Sequence, residues 1–559
     1  MSTFSIPIKT CEKLDSLTRR FWWQPKANEG CYLAWKSWDK LCHPRMAGGL
    51  GFKKHKDINS ALLSKLAWMI VSNRDSLCMQ VLRAKYKIKQ DWLRADPPKT
   101  ASPIWRAIES AKSIILKGAC YLIGDGSSVD IWRDPWVPWF QDFTPKSRDV
   151  NSNQPPLKVS QLIDPDLHCW RASLVTRLFD PKSTQAILSI PIPLSPSPDK
   201  FIWVLDPKGA FTVKSAYQAT CHFPVAPLAP APNWKKLWSL KTPEKTKMFL
   251  WRMCVNVLPT RENIKRRMSL NDDSCLLCSD FPEDPVHLFL KCHIAKALWF
   301  AVVWGFRLED FEATSTFDII NLILNPPLPS NHVSDKRIVS LTIALTLEEI
   351  WRLRNSKLHS KGLFSLTDSV LLIHRRVREF SKVCLKLPLL PSEAAPSFWV
   401  PPPPGWIKVN VDAAWTSAKA ALAVVARDSH GSLRNIWART SSHRSPLLAE
   451  AEALLWAVSI AKREKWSHVQ FEGDSKICID ALCSILDSTN WVIQPSISSI
   501  LSLVQCFVSF SFTWVSRTCN SAAHVAARCS FLSSSSFFYF KDILPTDLAG
   551  VCMEGYPPL

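Results

Sequence analysis

The amino-acid sequence predicts a multidomain protein with mainly α-helical N-terminal and middle regions, followed by an α/β domain with a five-stranded mixed sheet. The chain has 559 residues, which is enough for about three or four domains. Its 41 prolines divide it into segments, and the run at 401–405 is typical of a stiff linker. After that linker, the helical spacing of apolar residues gives way to short strand-like runs.

Composition and charge limit the possible function classes. Hydrophobic residues make up 47% of the chain and charged residues 21%, which excludes a mostly disordered or collagen-like protein. The net charge is +21, and residues 1–150 hold 25 Lys and Arg against 14 Asp and Glu, whereas residues 406–530 hold 12 against 9. We expect such a basic region upstream of the C-terminal domain to contact nucleic acid. For any single basic run, the alternative is an ordinary solvated face.

The N-terminal and middle regions show mainly helical spacing. Residues 1–138 are predicted to be mostly helical, an apolar run at 211–213 leads into a helix, and residues 234–299 and 338–389 are helical again. The first residues lack the basic flank and apolar run of a secretory signal. We therefore expect an intracellular protein whose 18 cysteines are mostly reduced, so that clustered cysteines become candidates for metal binding.

The C-terminal elements follow in the order β-β-β-α-β, helices, β, α. Strands are predicted at 407–411, 421–426, 433–438, 469–472 and 510–515, and helices at 448–465, 475–486 and 521–529. The stretch 488–516 has no charged side chain, but its frequent serines make it too polar for a membrane span. We interpret it as a buried helix followed by a strand, in a protein without a membrane partner.

Three acidic residues lie at the predicted ends of elements in this domain. Asp412 closes the first strand, Glu450 lies in the first turn of the long helix, and Asp474 follows the fourth strand. A sheet crossed by a helix can bring such residues together, and their mutual repulsion then favours a bound dication. Mg²⁺ prefers oxygen ligands of this kind. Three ordinary capping residues are the alternative, and Glu452 is a second candidate for the helical acid.

Six short strings surround these acids in a fixed order. They are KVNVD at 408–412, RDSHG at 427–431, AEAEAL at 449–454, EGDSK at 472–476, WVSR at 514–517 and NSAAH at 520–524. The ordered set closely resembles the type 1 ribonuclease H domain at the end of plant non-LTR (LINE-type) retroelement polyproteins. The resemblance covers about residues 406–530 and implies a ribonuclease H-like α/β fold.

The resemblance implies hydrolysis of the RNA strand of RNA–DNA hybrids by two divalent ions, Mg²⁺ or Mn²⁺. It implies that Asp412, Glu450 and Asp474 are the catalytic, metal-binding carboxylates. One ion would activate the attacking water and the other would stabilise the leaving 3′ oxygen.

This sequence departs from the family's pattern at two places. His524 occupies the fourth acidic position, and imidazole is a poor ligand for Mg²⁺ but a better one for softer ions. Ala413 replaces a glycine that is common in the family, and the segment that leads to Ala421 is short. These departures keep a second hypothesis open, a non-catalytic nucleic-acid-binding protein with a decayed ribonuclease H domain.

A Cys/His cluster in the middle region has the spacing C-x2-C-x8-H-x4-C, formed by Cys275, Cys278, His287 and Cys292. Three thiols and one imidazole at this spacing can supply the four ligands of a tetrahedral Zn²⁺. His293 is a possible substitute ligand, and reduced core cysteines beside a surface histidine are the alternative. A zinc ion here is predicted to be structural, because the protein fills all four positions.

Strings upstream of the cluster, FTVKSAY at 211–217, FLWR at 249–252 and LPT at 258–260, resemble the zinc-binding domain that follows reverse transcriptase in the same elements. That resemblance implies a module that contacts nucleic acid. Basic side chains available for this contact are Lys241, Lys245, Lys247, Arg252, Lys265, Arg266 and Arg267.

The front segment is similar to the region just downstream of a reverse-transcriptase palm. The similar strings lie at 21–23, 48–52, 123–126 and 132–136, and no paired-Asp polymerase motif precedes them. We therefore expect a truncated retroelement tail in the nucleus that does not polymerise. The predicted domains are 1–150 (reverse-transcriptase remnant), 205–300 (zinc-binding domain), 301–400 (helical connector and linker), 405–530 (ribonuclease H-like domain) and 531–559 (tail).

Overall fold

The computed structural model describes residues 2–24, 32–88, 92–98, 100–149, 156–221, 232–303, 305–306, 311–326, 333–360, 365–384, 398–416, 419–441, 445–484, 489–533 and 536–540. From residue 541 on, the predicted tail lies outside the described residues. One compact unit comprises Met1–Ile6, Asp57–Cys221 and Glu393–Leu559, and a second comprises Pro7–Lys56 and His222–Ser392. No helix within the described ranges combines the length and the apolarity that crossing a membrane requires.

The N-terminal region is mainly helical, as predicted. Its helices are α1 (Ile8–Trp23), α2 (Trp38–Cys42), α3 (His55–Val71), α4 (Leu77–Tyr86), α5 (Pro103–Ser110), α6 (Lys112–Ile115), α7 (Ala172–Leu178), α8 (Pro181–Leu188) and α9 (Val213–Thr220). Its strands are β1 (Ala119–Leu122), β2 (Ile163–Asp164), β3 (Cys169–Trp170) and β4 (Lys200–Trp203). The two strand pairs, β1 with β4 and β2 with β3, are antiparallel. The helix predicted after 211–213 is α9, which Thr212 caps by accepting a hydrogen bond from the backbone of Ser215.

The middle region is mainly helical in the described residues, as predicted. It contains α10 (Trp234–Ser239), α11 (Glu244–Cys254), α12 (Arg261–Lys265), α13 (His293–Ala301), α14 (Thr316–Leu324), α15 (Val333–Ser360) and α16 (Leu366–Cys384). A short π-helical turn, His287–Lys291, precedes α13. The fully buried side chains of Phe289, Trp299 and Leu347 form part of one core that joins the Cys/His segment to α15.

The C-terminal domain is α/β and has a mixed sheet, as predicted. Its elements are β5 (Ile407–Trp415), β6 (Ala420–Arg427), β7 (Leu433–Ser441), α17 (Pro446–Arg463), β8 (His468–Gly473), α18 (Lys476–Cys483), α19 (Gln494–Leu503), β9 (Ser509–Trp514), α20 (Ser521–Ser533) and β10 (Phe537–Phe540). The spatial order is β10-β7-β6-β5-β8-β9, and β8 runs parallel to both β5 and β9 while the other pairs are antiparallel. Within the stretch 488–516, the described residues form a helix, α19, and then a strand, β9, as interpreted.

Three details of this domain differ from the sequence predictions. The sheet has a sixth strand, β10, which pairs with β7 beyond residue 530. Asp412 does not close its strand, because β5 continues to Trp415 by pairing with β6 after its pairing with β8 has ended. Glu450 lies in the second helical turn, because Ser445 caps α17 and Pro446 begins it two residues earlier than predicted.

Candidate active site

The register between β5 and β8 brings two of the predicted acids together. Val411 pairs with Gly473 at the end of the parallel ladder. The next residues, Asp412 and Asp474, therefore lie side by side just beyond it. Glu450 reaches them from α17, which packs against β5 and β6. One carboxylate oxygen from each of the three acids lies within 4.8 Å of the other two. The structure therefore brings together the three carboxylates that the sequence indicated.

Burial makes this cluster electrostatically costly. Asp412 is only 3% exposed, and its burial, together with the charge of Asp474, raises the pKa of Asp412 to about 6. Burial and the charges of Asp412 and Asp474 also raise the pKa of Glu450 well above its ordinary value. A divalent cation relieves this kind of repulsion, and carboxylate oxygens are the ligands that Mg²⁺ and Mn²⁺ accept. The residues present therefore fit a divalent metal site.

Two cationic or ionisable side chains border the cluster. His524, on α20, places Nδ1 at 3.0 Å from Oδ2 of Asp412, so the structure brings the predicted fourth residue to the site. Arg517 donates from Nε to Oδ2 of Asp474 at 3.2 Å. The sequence reasoning quoted Arg517 as part of a motif but gave it no role. Its position three residues after the end of β9 was the available signal.

Glu452 lies away from the cluster. It accepts a hydrogen bond from Nη2 of Arg439 at 3.1 Å, and the same guanidinium lies 4.5 Å from the ring centroid of Trp456. Burial raises the pKa of Glu452, while Arg439 lowers it. Of the two helical candidates, the structure therefore brings Glu450, and not Glu452, to the other acids.

A buried polar network supports the strands just before the acids. Trp399 donates from Nε1 to Oδ1 of Asn410 at 2.9 Å, and Asn410 donates from Nδ2 to Glu472 at 3.0 Å. Lys408 pairs with Glu472 at 2.7 Å. Asn410 lies two residues before Asp412 on the same face of β5, and Glu472 lies two residues before Asp474, near the end of β8. Sequence reasoning missed this network, which attaches the segment before the proline run to β5 and β8.

The four predicted metal ligands of the middle region also converge. Ligand atoms of Cys275, Cys278, His287 and Cys292 all lie within 4.8 Å of one another. A hydrogen bond between two of the thiols raises the pKa of Cys275 and lowers that of Cys292. Burial lowers the pKa of His287, which favours the neutral imidazole that binds metals. Three sulfurs and one nitrogen fit a tetrahedral zinc site.

The predicted substitute ligand His293 lies at the margin of this cluster. It forms a second group with Cys278 and Asp280, and its Nδ1 is 3.5 Å from Oδ2 of Asp280. His287 is buried whereas the side chain of His293 is 64% exposed. The geometry therefore favours His287 as the partner of the three cysteines.

A fully buried ion pair holds the Cys/His segment in place. Nη2 of Arg354, on α15, lies 2.7 Å from Oε1 of Glu283. Glu283 also accepts hydrogen bonds from the backbone N–H groups of Arg261 and Leu276. Because Glu283 lies between Cys278 and His287 in sequence, this network fixes the loop that carries the ligands.

Several of the predicted basic side chains of the middle region already bind neighbouring groups. Lys247 pairs with Glu244, Lys265 with Asp273 and Arg266 with Glu262. Arg267 donates hydrogen bonds to the backbone carbonyls of Ala34 and Trp35. A nucleic acid would compete with these internal partners.

Comparisons with known proteins place the chain in a family. A sequence profile described as "reverse transcriptase-like" matches residues 410–530, and one described as "zinc-binding in reverse transcriptase" matches residues 211–299. A candidate ribonuclease H protein of Arabidopsis thaliana is 24% identical over 99% of this chain and 90% of the relative. An uncharacterized mitochondrial protein of the same plant is 32% identical over 24% of this chain and 89% of the relative. The chain belongs to the plant retroelement-derived ribonuclease H-like proteins.

Solved structures similar to this ribonuclease H-like protein include ribonuclease H1 from the halophilic archaeon Halobacterium salinarum. It is 21% identical, with a TM-score of 0.22, over 23% of this chain and 99% of that one. Another is LC11-RNase H1 in complex with an RNA/DNA hybrid, which is 16% identical, with a TM-score of 0.22, over 23% of this chain and 98% of that one.

Proposed function

We propose that this ribonuclease H-like protein hydrolyses the RNA strand of RNA–DNA hybrids by a two-metal mechanism. The observation that carries the proposal is the convergence of Asp412, Glu450 and Asp474 within 4.8 Å, in a domain that matches a reverse transcriptase-like profile. The raised pKa values of Asp412 and Glu450 are typical of a site that binds positive charge.

Asp412, Glu450 and Asp474 would hold two divalent ions, Mg²⁺ or Mn²⁺. When bound, the ions supply an activated water and stabilise charge on the leaving 3′ oxygen. Asp412 is fixed within β5 and by Asn520, which donates from Nδ2 to the neighbouring carbonyl of Val411 at 2.8 Å. Asp474 is held in the turn after β8, where its backbone carbonyl accepts a hydrogen bond from Nε1 of Trp514 at 3.0 Å. Both carboxylates are thus oriented by the protein before an ion binds.

We propose a structural zinc ion for Cys275, Cys278, His287 and Cys292. These residues carry the loop that Glu283 and Arg354 attach to α15, so zinc binding and folding of this region are coupled. The zinc-binding domain, proposed as 205–300, and the basic front region, proposed as 1–150, would contribute nucleic-acid contacts. The ribonuclease H-like domain, predicted as 405–530, is proposed to include β10 as well, because β10 pairs with β7. A connector at 301–400 would precede the domain, and the tail, predicted as 531–559, would begin after β10, in a nuclear protein.

The proposal is tested with purified full-length protein and three labelled substrates: an RNA–DNA hybrid, an RNA duplex and single-stranded RNA. We expect cutting of the RNA strand in the hybrid with Mg²⁺ or Mn²⁺, and little or no cutting of the other two substrates. Hybrid binding without cleavage under either ion would contradict the enzymatic proposal.

A non-catalytic nucleic-acid-binding protein is the second candidate function. Two observations favour it: His524 takes the fourth position beside Asp412, and Arg517 already neutralises Asp474. Under this alternative the protein binds the hybrid with equal affinity in the presence and absence of divalent ions.

A further inference from the structure

Three exposed side chains at or near Asp474, on the border of the carboxylate cluster, are not among the proposed metal ligands. Arg517 donates to the Asp474 carboxylate although its own side chain is 79% exposed. Trp514, which is 39% exposed, donates to the Asp474 carbonyl. The ammonium of Lys476 lies 5.9 Å from the ring centroid of Trp514. One cation, Arg517, and one indole, Trp514, therefore contact Asp474, and a second cation, Lys476, lies beside that indole.

The contact between Arg517 and Asp474 is easily exchanged. An ion pair with one largely exposed partner contributes little to stability, because water and salt screen it. Within the described part of the chain, the guanidinium of Arg517 makes no hydrogen bond besides the one from Nε. Its two Nη groups can therefore donate to another acceptor, and the planar fork of arginine matches the oxygens of a phosphate.

Occupation of the cluster by divalent ions creates competition for Asp474. A carboxylate that binds a dication has less negative charge to offer a guanidinium. The ions and the arginine thus compete for the same oxygens, while a nucleic acid at the site brings phosphates that attract the released arginine.

We propose that Arg517 binds a backbone phosphate of the RNA–DNA hybrid, exchanging the Asp474 carboxylate for this phosphate when divalent ions enter. Lys476 supplies a second phosphate contact, and the exposed face of Trp514 packs against the sugar or base beside it. This inference rests on the proposed function, because it assigns the substrate contact of the same site.

The exchange predicts opposite effects of one substitution on two ligands. Arg517→Ala removes a phosphate contact, so the affinity for the hybrid falls by about tenfold. The number of counterions released on binding, read from the slope of log affinity against log salt concentration, falls by about one. The same change removes a cation that competes for Asp474, so the affinity for Mn²⁺ rises. If Arg517 only stabilised the turn that carries Asp474, its removal would instead lower the affinities for both the hybrid and Mn²⁺.

The test uses the full chain and measures the two affinities separately. Mn²⁺ binding is titrated by electron paramagnetic resonance without nucleic acid. Hybrid binding is measured by fluorescence anisotropy in Ca²⁺ at several salt concentrations, and gel electrophoresis checks that the hybrid stays intact. Arg463→Ala is the matched control, because Arg463 is also an exposed arginine of this domain and pairs with its sequence neighbour Glu464. Arg517→Lys keeps the charge and is expected to retain the salt dependence with part of the affinity.

The outcomes separate this inference from the proposed function. Weaker hybrid binding with tighter Mn²⁺ binding in Arg517→Ala supports the exchange. Mn²⁺ binding by the unmodified protein together with an unchanged hybrid affinity in the variant would overturn the role of Arg517 alone. Absence of Mn²⁺ binding by the unmodified protein would overturn the metal site, and the exchange with it.

Discussion

The carboxylate cluster and the Cys/His cluster differ in how the chain assembles them. Cys275, Cys278, His287 and Cys292 come from one segment of 18 consecutive residues. The acids Asp412, Glu450 and Asp474 come from a strand, a helix and a turn. The register of β5 with β8 brings Asp412 beside Asp474, and the packing of α17 on the sheet adds Glu450. Sequence spacing therefore encodes the first cluster directly, whereas the second depends on the tertiary fold.

The two clusters also differ in their access to solvent. Cys275 and Cys292 have no exposed surface and His287 is 7% exposed, so the protein encloses the donors on most sides. Asp474 and Glu450 are half-buried, and exposed cations border them. A closed set of four nitrogen and sulfur donors is typical of structural zinc, and an open set of oxygens is typical of a catalytic ion. Perturbing each cluster should therefore affect a different property.

Asp474→Asn has the largest expected effect on activity. It removes a negative charge from the proposed metal site at nearly constant size, and we expect hybrid cleavage to fall by about 10³-fold. The variant should still bind the hybrid, because the phosphate contacts that we propose for Arg517 and Lys476 remain, and its zinc content should not change. Cleavage rates from labelled hybrid measure the effect, with the exposed Asp480→Asn as the matched control. Equal cleavage by the Asp474 variant would show that the carboxylates have been assigned the wrong role.

Cys278→Ser should act on the other cluster and on a different property. Loss of one thiolate removes part of the coupled folding energy, and we expect the stability of the middle region to fall by on the order of 3 kcal/mol. Inductively coupled plasma mass spectrometry should show less zinc per chain, and urea unfolding should begin at lower denaturant. The exposed Cys483→Ser serves as the control. Full zinc content in the Cys278 variant would exclude this residue as a ligand.

Asp412→Asn should show how much the burial of negative charge in the carboxylate cluster costs in stability. The raised pKa of Asp412, about 6, means that the folded protein binds more protons than the unfolded chain between roughly pH 4 and 6. Stability without Mg²⁺ or Mn²⁺ should therefore fall as pH rises through this window, by about 1–3 kcal/mol. Asn cannot ionise, so the variant should lose this pH dependence and be more stable at pH 7.

Urea unfolding at pH 5 and pH 7, followed by circular dichroism, measures the effect of Asp412→Asn. The exposed Asp480→Asn again provides the comparison. Identical pH dependence in the Asp412 variant and the unmodified protein would contradict the electrostatic cost that we assign to the cluster.

The zinc-type cluster could be predicted from sequence because two short spacings determine it. The acids could be predicted only through the ordered strings of a family, since no spacing rule joins Asp412 to Asp474. The predicted ends of helices and strands were less accurate than their existence.

Two signals could have corrected them. Ser445 followed by Pro446 is a typical helix start, and the aromatic run of β10 is typical of a strand.

Long-range partners could not be predicted from spacing at all. Glu283 pairs with Arg354 across 71 positions of sequence, and Asn410 binds Glu472 across 62. Only the register of the sheet and the packing of α15 determine these contacts. The same holds for Arg517, whose pairing with Asp474 follows from where β9 ends beside β8.

His524→Asp has the smallest expected effect. Because His524 lies 3.0 Å from Asp412, the cluster has one acidic residue fewer than the family pattern, and we expect the unmodified protein to be more active with Mn²⁺ than with Mg²⁺. The substitution adds an oxygen donor and should raise the Mg²⁺-dependent rate by a few-fold. Initial rates with each ion measure the change. Equal rates with both ions and no response to the substitution would place His524 outside the site.

Mn²⁺ binding to zinc-loaded protein tests the central claim most directly, namely that the chain carries two metal sites of different chemistry. The measurement combines electron paramagnetic resonance for Mn²⁺ with metal analysis for zinc, on the unmodified protein, Asp474→Asn and Cys278→Ser. We predict that Asp474→Asn loses Mn²⁺ binding and keeps its zinc, while Cys278→Ser loses zinc and keeps Mn²⁺ binding. Mn²⁺ binding that is unchanged by Asp474→Asn would contradict the account.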